Sequence, residues 1–276
     1  MSTQTTTFSR ADVTPGNDVW LPAFTLWWRE IVRFYRQRSR VIGVIASPLL
    51  FWIVIGSGFG TSFRSGPSGT SGQHYLDYFY PGALIMIVLF TSIFTMMSVI
   101  EDRKEGFLLS VLVAPVSRSA IVLGKVMGGT TLATIQGLIF LAFAPFVGVH
   151  IGIGALLLVA LTVFLVSFAL TALGFAIAWP MDSSQAFHAI INLFLIPLWL
   201  LSGALFPLSG ASGWLRFLMR INPLTYGVEA LRDLLYPQNQ GTVSMSESLA
   251  TLVLFSLFMF GLAFIMVNRR STRPAA

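Results

Sequence analysis

Long apolar stretches separated by short polar segments cover most of this sequence. A helix needs about 20 mostly apolar residues to cross the hydrocarbon core of a bilayer, which is roughly 30 Å thick. The pattern therefore predicts an all-α polytopic membrane protein, with a transmembrane domain of six helices over residues 41–267. The six predicted spans are residues 41–59, 82–100, 121–147, 155–179, 186–206 and 249–267.

The distribution of basic residues predicts the orientation of these spans. Cytoplasmic loops of membrane proteins carry an excess of Lys and Arg. With the N-terminus inside, 13 of the 17 Lys and Arg residues fall on the cytoplasmic side and 4 on the outer side. We therefore predict a multi-pass protein of the plasma (bacterial inner) membrane, with residues 1–40 and the tail 268–276 in the cytoplasm.

The segment before the first span, residues 20–40, has the pattern of an amphipathic helix. Aromatic and apolar side chains recur every three or four residues, and arginines line the opposite face. We expect this helix to lie in the membrane interface, with its rings at the acyl boundary and its arginines among lipid phosphates. It either only anchors the chain to the membrane surface or also contacts a cytoplasmic partner. Its characteristic residues are Trp27, Trp28, Arg29, Arg33 and Arg36.

Residues 101–125, between the second and third spans, contain an apolar run that is too short to cross a membrane. Charged residues precede the run and Pro115 follows it. Because the residue before a proline avoids the helical conformation, we predict a short helix that ends there and lies against the cytoplasmic membrane face. Its side chains Phe107, Leu108 and Leu112 need cover from lipid or from another protein.

Residues 207–246 separate the last two spans and predict a pair of short helices. The first is amphipathic, and the second begins where Asn222 suits the N-cap and Pro223 the first helical position. Glu229 and Arg232 have the spacing of an ion pair on this second helix. The two helices are either re-entrant or lie on the surface. An ordinary extracytoplasmic loop that folds back over the bundle is the alternative.

Composition supports a lipid environment. The chain of 276 residues is 55% hydrophobic and only 10% charged, with a mean hydropathy of +0.79. A soluble domain carries about 25% charged residues, so this chain cannot cover a water-facing surface. Its net charge of +6 does not indicate nucleic-acid binding, because the basic residues lie at the ends of apolar segments. With no cysteine, disulfides, thiol catalysis and cysteine-ligated metals are excluded.

No catalytic, cofactor or metal site is expected in this chain. The three histidines are far apart in the sequence and have no metal-ligand spacing. Gly124 and Lys125 lack the rest of a phosphate-binding loop, so no ATP-binding motif is present. Any uphill transport must therefore draw its energy from a partner or from an ion gradient.

The third predicted span has two further features. Lys125, near its inner end, is the only charged residue inside any predicted span. Ion-coupled carriers usually hold ionisable groups near the midplane, so this scarcity argues against ion coupling unless Ser, Thr or backbone groups do that work. Gly124 and Gly128 permit a close helix contact, but such pairs are common in membrane helices.

Two motifs resemble those of the permease subunits of type-2 ABC exporters, the group that exports drugs, lipo-oligosaccharides and polysaccharides. The resemblance covers nearly the whole chain, including the order of spans and connecting helices. The first motif is Glu105-Gly106-Phe107-Leu108 through Ala114-Pro115-Val116-Ser117-Arg118 to Gly124-Lys125. The second is Asn222-Pro223-Leu224-Thr225-Tyr226 with Glu229-Ala230-Leu231-Arg232.

The resemblance implies that the inner loop is a coupling helix, which docks into a groove of a separate ATPase subunit that binds ATP and Mg. It also implies a homodimer, or a heterodimer with a sister permease, bound to two ATPases. Many members carry Thr after the glycine and Glu two residues later, where this chain has Phe107 and Leu109. The implied coupling residues are Glu105, Gly106, Phe107, Leu108, Leu112, Pro115, Arg118 and Lys125, and the outer motif comprises Asn222, Pro223, Thr225, Tyr226, Glu229 and Arg232.

The function that follows is the permease subunit of an ABC exporter, with a path for an amphipathic or lipid-linked substrate. An ion-coupled secondary transporter or channel would need no ATPase. A membrane-bound enzyme, such as a lipid-modifying transferase, should show clustered His, Asp or Glu at a membrane face. The inner-loop motif and the charge-poor spans count against the transporter or channel, and no such cluster is visible in the sequence to support the enzyme.

Overall fold

The computed structural model describes residues 19–59, 75–114, 116–149, 152–238 and 242–269, and every regular element in these ranges is helical. Pro115 and the two ends of the chain, residues 1–18 and 270–276, lie outside the described residues. Two short 3-10 turns, Ala144–Val147 and Leu208–Gly210, interrupt the α-helices. The α-helices are α1 (Trp20–Arg36), α2 (Arg38–Phe59), α3 (Tyr75–Thr95), α4 (Met97–Lys104), α5 (Phe107–Val113), α6 (Arg118–Leu141), α7 (Ile153–Ala178), α8 (Ser184–Leu200), α9 (Gly213–Ile221), α10 (Pro223–Leu235) and α11 (Met245–Asn268).

Helix α3 is the centre of the bundle. It packs against α2, α6, α7 and α10, and nearly all of its side chains are buried. Polar groups on α3 are satisfied inside the protein: the Tyr80 hydroxyl donates to the Phe140 carbonyl at 2.9 Å, and Ser92 Oγ donates to the Ser167 carbonyl at 3.3 Å. Such pairing is required where no water can reach the backbone or the side chain.

Helix α3 begins before the second predicted span, residues 82–100. The helix begins at Tyr75 rather than at residue 82, and Pro81 lies inside it. Tertiary contacts hold the first turns in place despite the proline, since the hydroxyls of Tyr75 and Tyr78 donate to the carbonyls of Leu205 (3.1 Å) and Gly203 (3.0 Å). At its other end, α3 continues almost directly into α4, so one apolar segment extends over Tyr75–Lys104.

Four segments within the described residues are long and apolar enough to cross a membrane. They correspond to α3 with α4, α6 with the following 3-10 turn, α7, and α11. The remaining two predicted spans correspond to shorter apolar helices, Pro48–Gly58 within α2 and Ser184–Leu200. The structure thus describes a helical membrane protein with four candidate spans, and the count of six stays a prediction.

Two predicted spans contain breaks. The stretch 121–147 is helical only as far as Leu141 and then tightens into the turn Ala144–Val147. The stretch 186–206 is helical only as far as Leu200, because the chain turns at Gly203, which has a φ of +79°. Trp199 fixes this turn beside α3, since its Nε1 donates to the Gly82 carbonyl at 2.9 Å.

Helix α1 packs lengthwise on α6 through glycines. A Cβ on Gly124 would lie 2.7 Å from the Ala23 carbonyl oxygen, and one on Gly128 would lie 2.8 Å from Glu30 Cβ. The pair that sequence analysis treated as uninformative therefore marks the contact between these helices. Trp27 adds a hydrogen bond from Nε1 to Thr131 Oγ1 at 3.0 Å, so this ring packs on protein. The opposite face of α1 exposes Trp20, Leu21, Phe24 and Trp28.

Helices α9 and α10 lie at the end of the bundle where α3 begins. Asn222 caps α10 by accepting from the Leu224 amide at 3.0 Å, and its Nδ2 donates to the Leu198 carbonyl at 2.6 Å. Pro223 occupies the first helical position, as predicted. Helix α10 is buried against α3, α7 and α11, whereas α9 exposes a broad apolar face. Only α9 is therefore a surface helix.

The predicted ion pair on α10 is present. Glu229 and Arg232 are bonded to each other, and Arg232 Nη2 also donates to the Gly203 carbonyl at 2.9 Å. Two further bonds orient the start of α10: Thr225 Oγ1 donates to the Met219 carbonyl at 2.6 Å, and the Tyr226 hydroxyl donates to the Arg220 carbonyl at 2.9 Å. All six residues of the outer motif thus serve to fix α10.

Candidate coupling site

A sharp turn at Gly106 separates α5 from α4. Gly106 has a φ of +77°, its N–H donates to the Arg103 carbonyl at 3.2 Å, and its carbonyl accepts from the Ser110 amide at 3.1 Å. A residue with a side chain is strained in this left-handed conformation, which suits glycine just after a helix. The turn therefore sets the angle at which α5 leaves the bundle.

Helix α5 has one buried and one exposed face, both apolar. Leu108 is 4% exposed and packs with Leu26 of α1 and Ile121 of α6. Leu109 and Val113 are 66% and 80% exposed. An apolar helix that presents such residues outside the bundle needs another surface to cover them.

A set of charged side chains, some buried and some partly exposed, lies beneath α5, and we call it the charge cluster. It comprises Arg29, Glu30 and Arg33 of α1, Asp102 of α4, and Lys125 of α6. Asp102 is fully buried and accepts from Arg29 Nη1 and Nη2 at 2.9 and 2.8 Å. It also accepts from Arg33 Nη1 at 2.7 Å and from Lys125 Nζ. One carboxylate thus joins three helices.

Glu30 and Lys125 form the inner half of the charge cluster. Lys125 Nζ lies 2.5 Å from Glu30 Oε1 and 3.2 Å from Ser98 Oγ, and Ser98 Oγ donates to Glu30 Oε2 at 2.7 Å. Each buried charge therefore has an opposite charge and further hydrogen bonds, which is the condition for a buried ion pair to be tolerated. Lys125 is 1% exposed, so it cannot touch a docked protein. This corrects the expectation, taken from the resemblance, that Lys125 is one of the coupling residues in contact with the ATPase.

The charge cluster reaches α5 through Arg29 and Arg33. The guanidinium carbon of Arg29 lies 3.7 Å from the centre of the Phe107 ring, a cation–π contact. Arg33 pairs with Glu101 at 2.8 Å and with Glu105 at 3.5 Å. These contacts make α1, α4 and the start of α5 one connected unit.

Electrostatics keep Arg29 charged. Burial by itself would lower the pKa of Arg29, but its hydrogen bond to Asp102 and the charges of Asp102, Glu30 and Glu105 raise that pKa above its ordinary value. The guanidinium is therefore a permanent charge that can hold Asp102 and the Phe107 ring together.

Arg103 ties α4 to the turn between α7 and α8. Its guanidinium donates to the carbonyls of Trp179 and Met181 (2.7 Å for Met181) and pairs with Asp182 at 3.0 Å. Ser183 next to it caps α8 by accepting from the Ala186 amide at 3.3 Å. Movement of α4 would thus be transmitted to α7 and α8 as well as to α1 and α6.

The structure places the predicted site residues in different surroundings. Glu105, Phe107, Leu108 and the exposed Leu112 lie around α5, and Arg118 is exposed at the start of α6, where its Nη1 donates to the Val267 carbonyl at 3.4 Å. The expectation that Arg29 and Arg33 lie among lipid phosphates is wrong, because Asp102 and Glu101 bind them. Arg36 and Trp28 are exposed.

Sequence reasoning missed Glu30, Ser98 and Asp102. Asp102 falls in the segment 101–125 that the sequence places between the second and third spans, but the helix continues through Lys104 and buries it. The available signal was the i, i+4 spacing of Arg29 and Arg33 on α1 together with the acids that follow the second span. Within the described residues no group of three or more His, Asp or Glu could hold a metal ion.

Comparisons with known proteins show the family of this chain. The profile of the family described as "ABC-2 type transporter" matches residues 23–236, which include most of α1 and all of α5 and α10. A protein named "Putative transport permease ycf38" from Cyanophora paradoxa is 29% identical over 86% of each chain. "Inner membrane transport permease YadH" from Escherichia coli (strain K12) is 25% identical over 91% of this chain and 96% of its own.

A third relative is named for drug resistance. "Daunorubicin resistance ABC transporter permease protein DrrB1" from Streptomyces coeruleorubidus is 23% identical, over 76% of this chain and 73% of its own length. The family profile covers well over half of the sequence, and the apolar helices described above are those of a membrane protein. The chain therefore belongs to the ABC-2 type transporter family, as a membrane-embedded permease subunit.

Proposed function

We propose that this chain is the permease subunit of an ABC exporter and that α5 is the helix on which a separate ATPase subunit docks. The observation that carries the proposal is the exposed apolar face of α5, made by Leu109, Leu112 and Val113. A second supporting observation is that Arg29 of α1 joins the Phe107 ring of α5 to Asp102 of α4, which in turn binds Lys125 of α6, so a push on α5 would reach three helices of the bundle.

The proposed mechanism is a shift between two arrangements of the bundle. ATP-driven closure of two ATPases would move α5, and the charge cluster would carry that movement to α1 and α6, while Arg103 would carry it to α7. In the proposed assembly, two permease copies, or this chain and a sister permease, each present one α5 to one ATPase. ATP and Mg are bound by those partners.

The cargo in this proposal is an amphipathic or lipid-linked molecule. It crosses the membrane along a path formed by the permease subunits, each of which contributes six spans. The apolar bundle and the large apolar exposure of α8 and α11 suit such a molecule and the surrounding lipid. In the proposed topology the chain lies in the bacterial inner membrane with both termini in the cytoplasm. Among the described residues, the buried acids Glu30, Asp102 and Glu229 are all paired with cations, so no observation favours ion coupling.

Co-purification tests the proposal. The tagged chain is solubilised gently from its native membrane, and a soluble ATPase with a phosphate-binding loop should accompany it in roughly equal amount. Leu109→Asp should release that ATPase, because it places a charge on the docking face without removing a packed side chain. Tyr35→Asp is the matched control, since Tyr35 is an exposed side chain on a different helix, α1.

If Leu109→Asp still retained the ATPase, the docking site would have to lie outside α5. A stable complex with no ATPase, together with transport that follows an ion gradient, would refute the exporter function and support the secondary transporter.

A further inference from the structure

A cleft of about 640 Å³ lies between α9 and the segment that precedes α11, at the end of the bundle remote from α5. Its walls include Arg216 and Arg220 of α9, Tyr226 of α10, and Thr242 and Glu247 on the opposite side. The volume lies within the range of about 300–1,000 Å³ that is typical of small-molecule sites. Nothing in the proposed ATPase docking uses this cleft.

The two arginines in the cleft differ in what they bind. Arg216 donates to the carbonyls of Leu208 (3.1 Å), Ser209 (3.1 Å) and Ala211 (3.0 Å), so it holds the turn before α9. The exposed guanidinium of Arg220 makes no hydrogen bond or ion pair with any described residue, while its carbonyl is fixed by the Tyr226 hydroxyl at 2.9 Å. Arg220 is therefore a cation on a rigid support that is available to a ligand.

The opposite wall is built on a buried ion pair. Glu229 Oε2 accepts from the Thr242 amide at 3.1 Å and from Thr242 Oγ1 at 3.3 Å, and Glu229 is itself paired with Arg232. Glu229 is buried, so this anchor is protected from solvent. The cleft is thus held open by fixed groups on both sides, which lowers the cost of ordering it around a ligand.

The face of α9 next to the cleft is apolar and exposed. Trp214, Phe217 and Ile221 recur at helical spacing and point away from the bundle, with Phe217 64% exposed. Tryptophan and phenylalanine beside arginine are typical of a helix that lies at a membrane surface. An occupant of the cleft would therefore have its polar group beside Arg220 and its apolar part along α9.

We propose that this cleft binds the phosphate group of an anionic amphiphile through Arg220. A phosphate oxygen would accept charge-assisted hydrogen bonds from the guanidinium, which can bind in a bidentate manner. Glu247 lines the opposite wall, and its negative charge weakens the binding of any anion there. The site is independent of α5 and of any ATPase.

The test measures lipid retention on the purified full-length permease by native mass spectrometry, in mixed micelles with phosphatidylglycerol or with diacylglycerol, which lacks the phosphate. Wild type should retain phosphatidylglycerol preferentially. Arg220→Gln should lower that retention about fivefold and leave diacylglycerol unchanged, because one exposed charge-assisted contact is lost. Glu247→Gln should raise it, and Arg36→Gln, which removes an exposed arginine of α1, should have no effect.

Excess inorganic phosphate identifies the source of the ligand. Displacement of phosphatidylglycerol by phosphate would mean that the site accepts the free ion, and persistence of the lipid would assign the site to the lipid head group. Equal retention by Arg220→Gln and wild type would overturn the proposal. An equal loss in Arg36→Gln would also overturn it, since the effect would then come from net charge.

Discussion

Removal of Lys125 tests the charge cluster most directly. Lys125→Met keeps the apolar stem but removes the ammonium group that contacts Glu30, Ser98 and Asp102. Asp102 would keep three hydrogen bonds from arginines. Glu30 would keep only Ser98 and a 3.7 Å contact with Arg29, although its side chain is 4% exposed. The perturbation therefore leaves one buried carboxylate poorly compensated.

The expected loss of stability follows from that geometry. Breaking a buried ion pair by removing one partner costs about 3–5 kcal/mol. For a domain of this size the loss corresponds to a decrease in Tm on the order of 10 °C. Adding Glu30→Gln to Lys125→Met removes the unpaired charge and should recover at least half of the decrease, because the two effects are coupled.

The assay is thermal unfolding of the detergent-purified protein, followed by the monodisperse fraction in size-exclusion chromatography. Arg36→Met is the control, since it removes an exposed cation from α1 and should leave the Tm unchanged. If Lys125→Met unfolded at the wild-type temperature, or if the double variant were no more stable than the single variant, the charge cluster would not contribute as the structure indicates.

Three further variants test the helix contacts. Gly106→Ala should cost about 1 kcal/mol because φ is +77°, and should weaken ATPase retention, whereas Gly43→Ala, with no atom within 4 Å of the added Cβ, should do neither. Gly124→Leu should detach α1 from α6, because the added Cβ alone would lie 2.7 Å from the Ala23 carbonyl oxygen. Faster deuterium exchange across Trp20–Arg36 would show this detachment, and unchanged exchange would contradict the packing. Glu229→Gln should speed deuterium exchange at the Thr242 amide, which donates a hydrogen bond to Glu229 Oε2 at 3.1 Å. Protection equal to wild type would mean that this bond is not formed.

Local patterns predicted helices well in this chain. The apolar run from Phe107 is helical and ends at Val113, as the proline at position 115 predicts, and Asn222 caps α10 with its own side chain. Both features depend on backbone preferences of a few neighbouring residues. The membrane class followed as directly from composition, because so few charged residues cannot cover a water-facing surface.

Features that depend on partners distant in sequence were not predictable in this way. Pro81 should have ended a helix, but hydrogen bonds from Tyr75 and Tyr78 to a loop more than a hundred residues away hold the preceding turns. Arg29 and Arg33 fit a lipid-facing stripe as well as a protein-facing one. Only the tertiary position of Asp102 distinguishes the two.

The exposed face of α5 has no charged side chain, and this affects how an assembly through it would form. Apolar contacts are barely screened by salt, so a complex through Leu109 and Val113 should survive purification at high ionic strength. The same face offers no electrostatic steering, so its association rate should be near the ordinary 10⁵–10⁶ M⁻¹s⁻¹, roughly. A complex that associates slowly and resists salt suits a subunit that is assembled once and stays bound, rather than one that exchanges partners during each transport cycle.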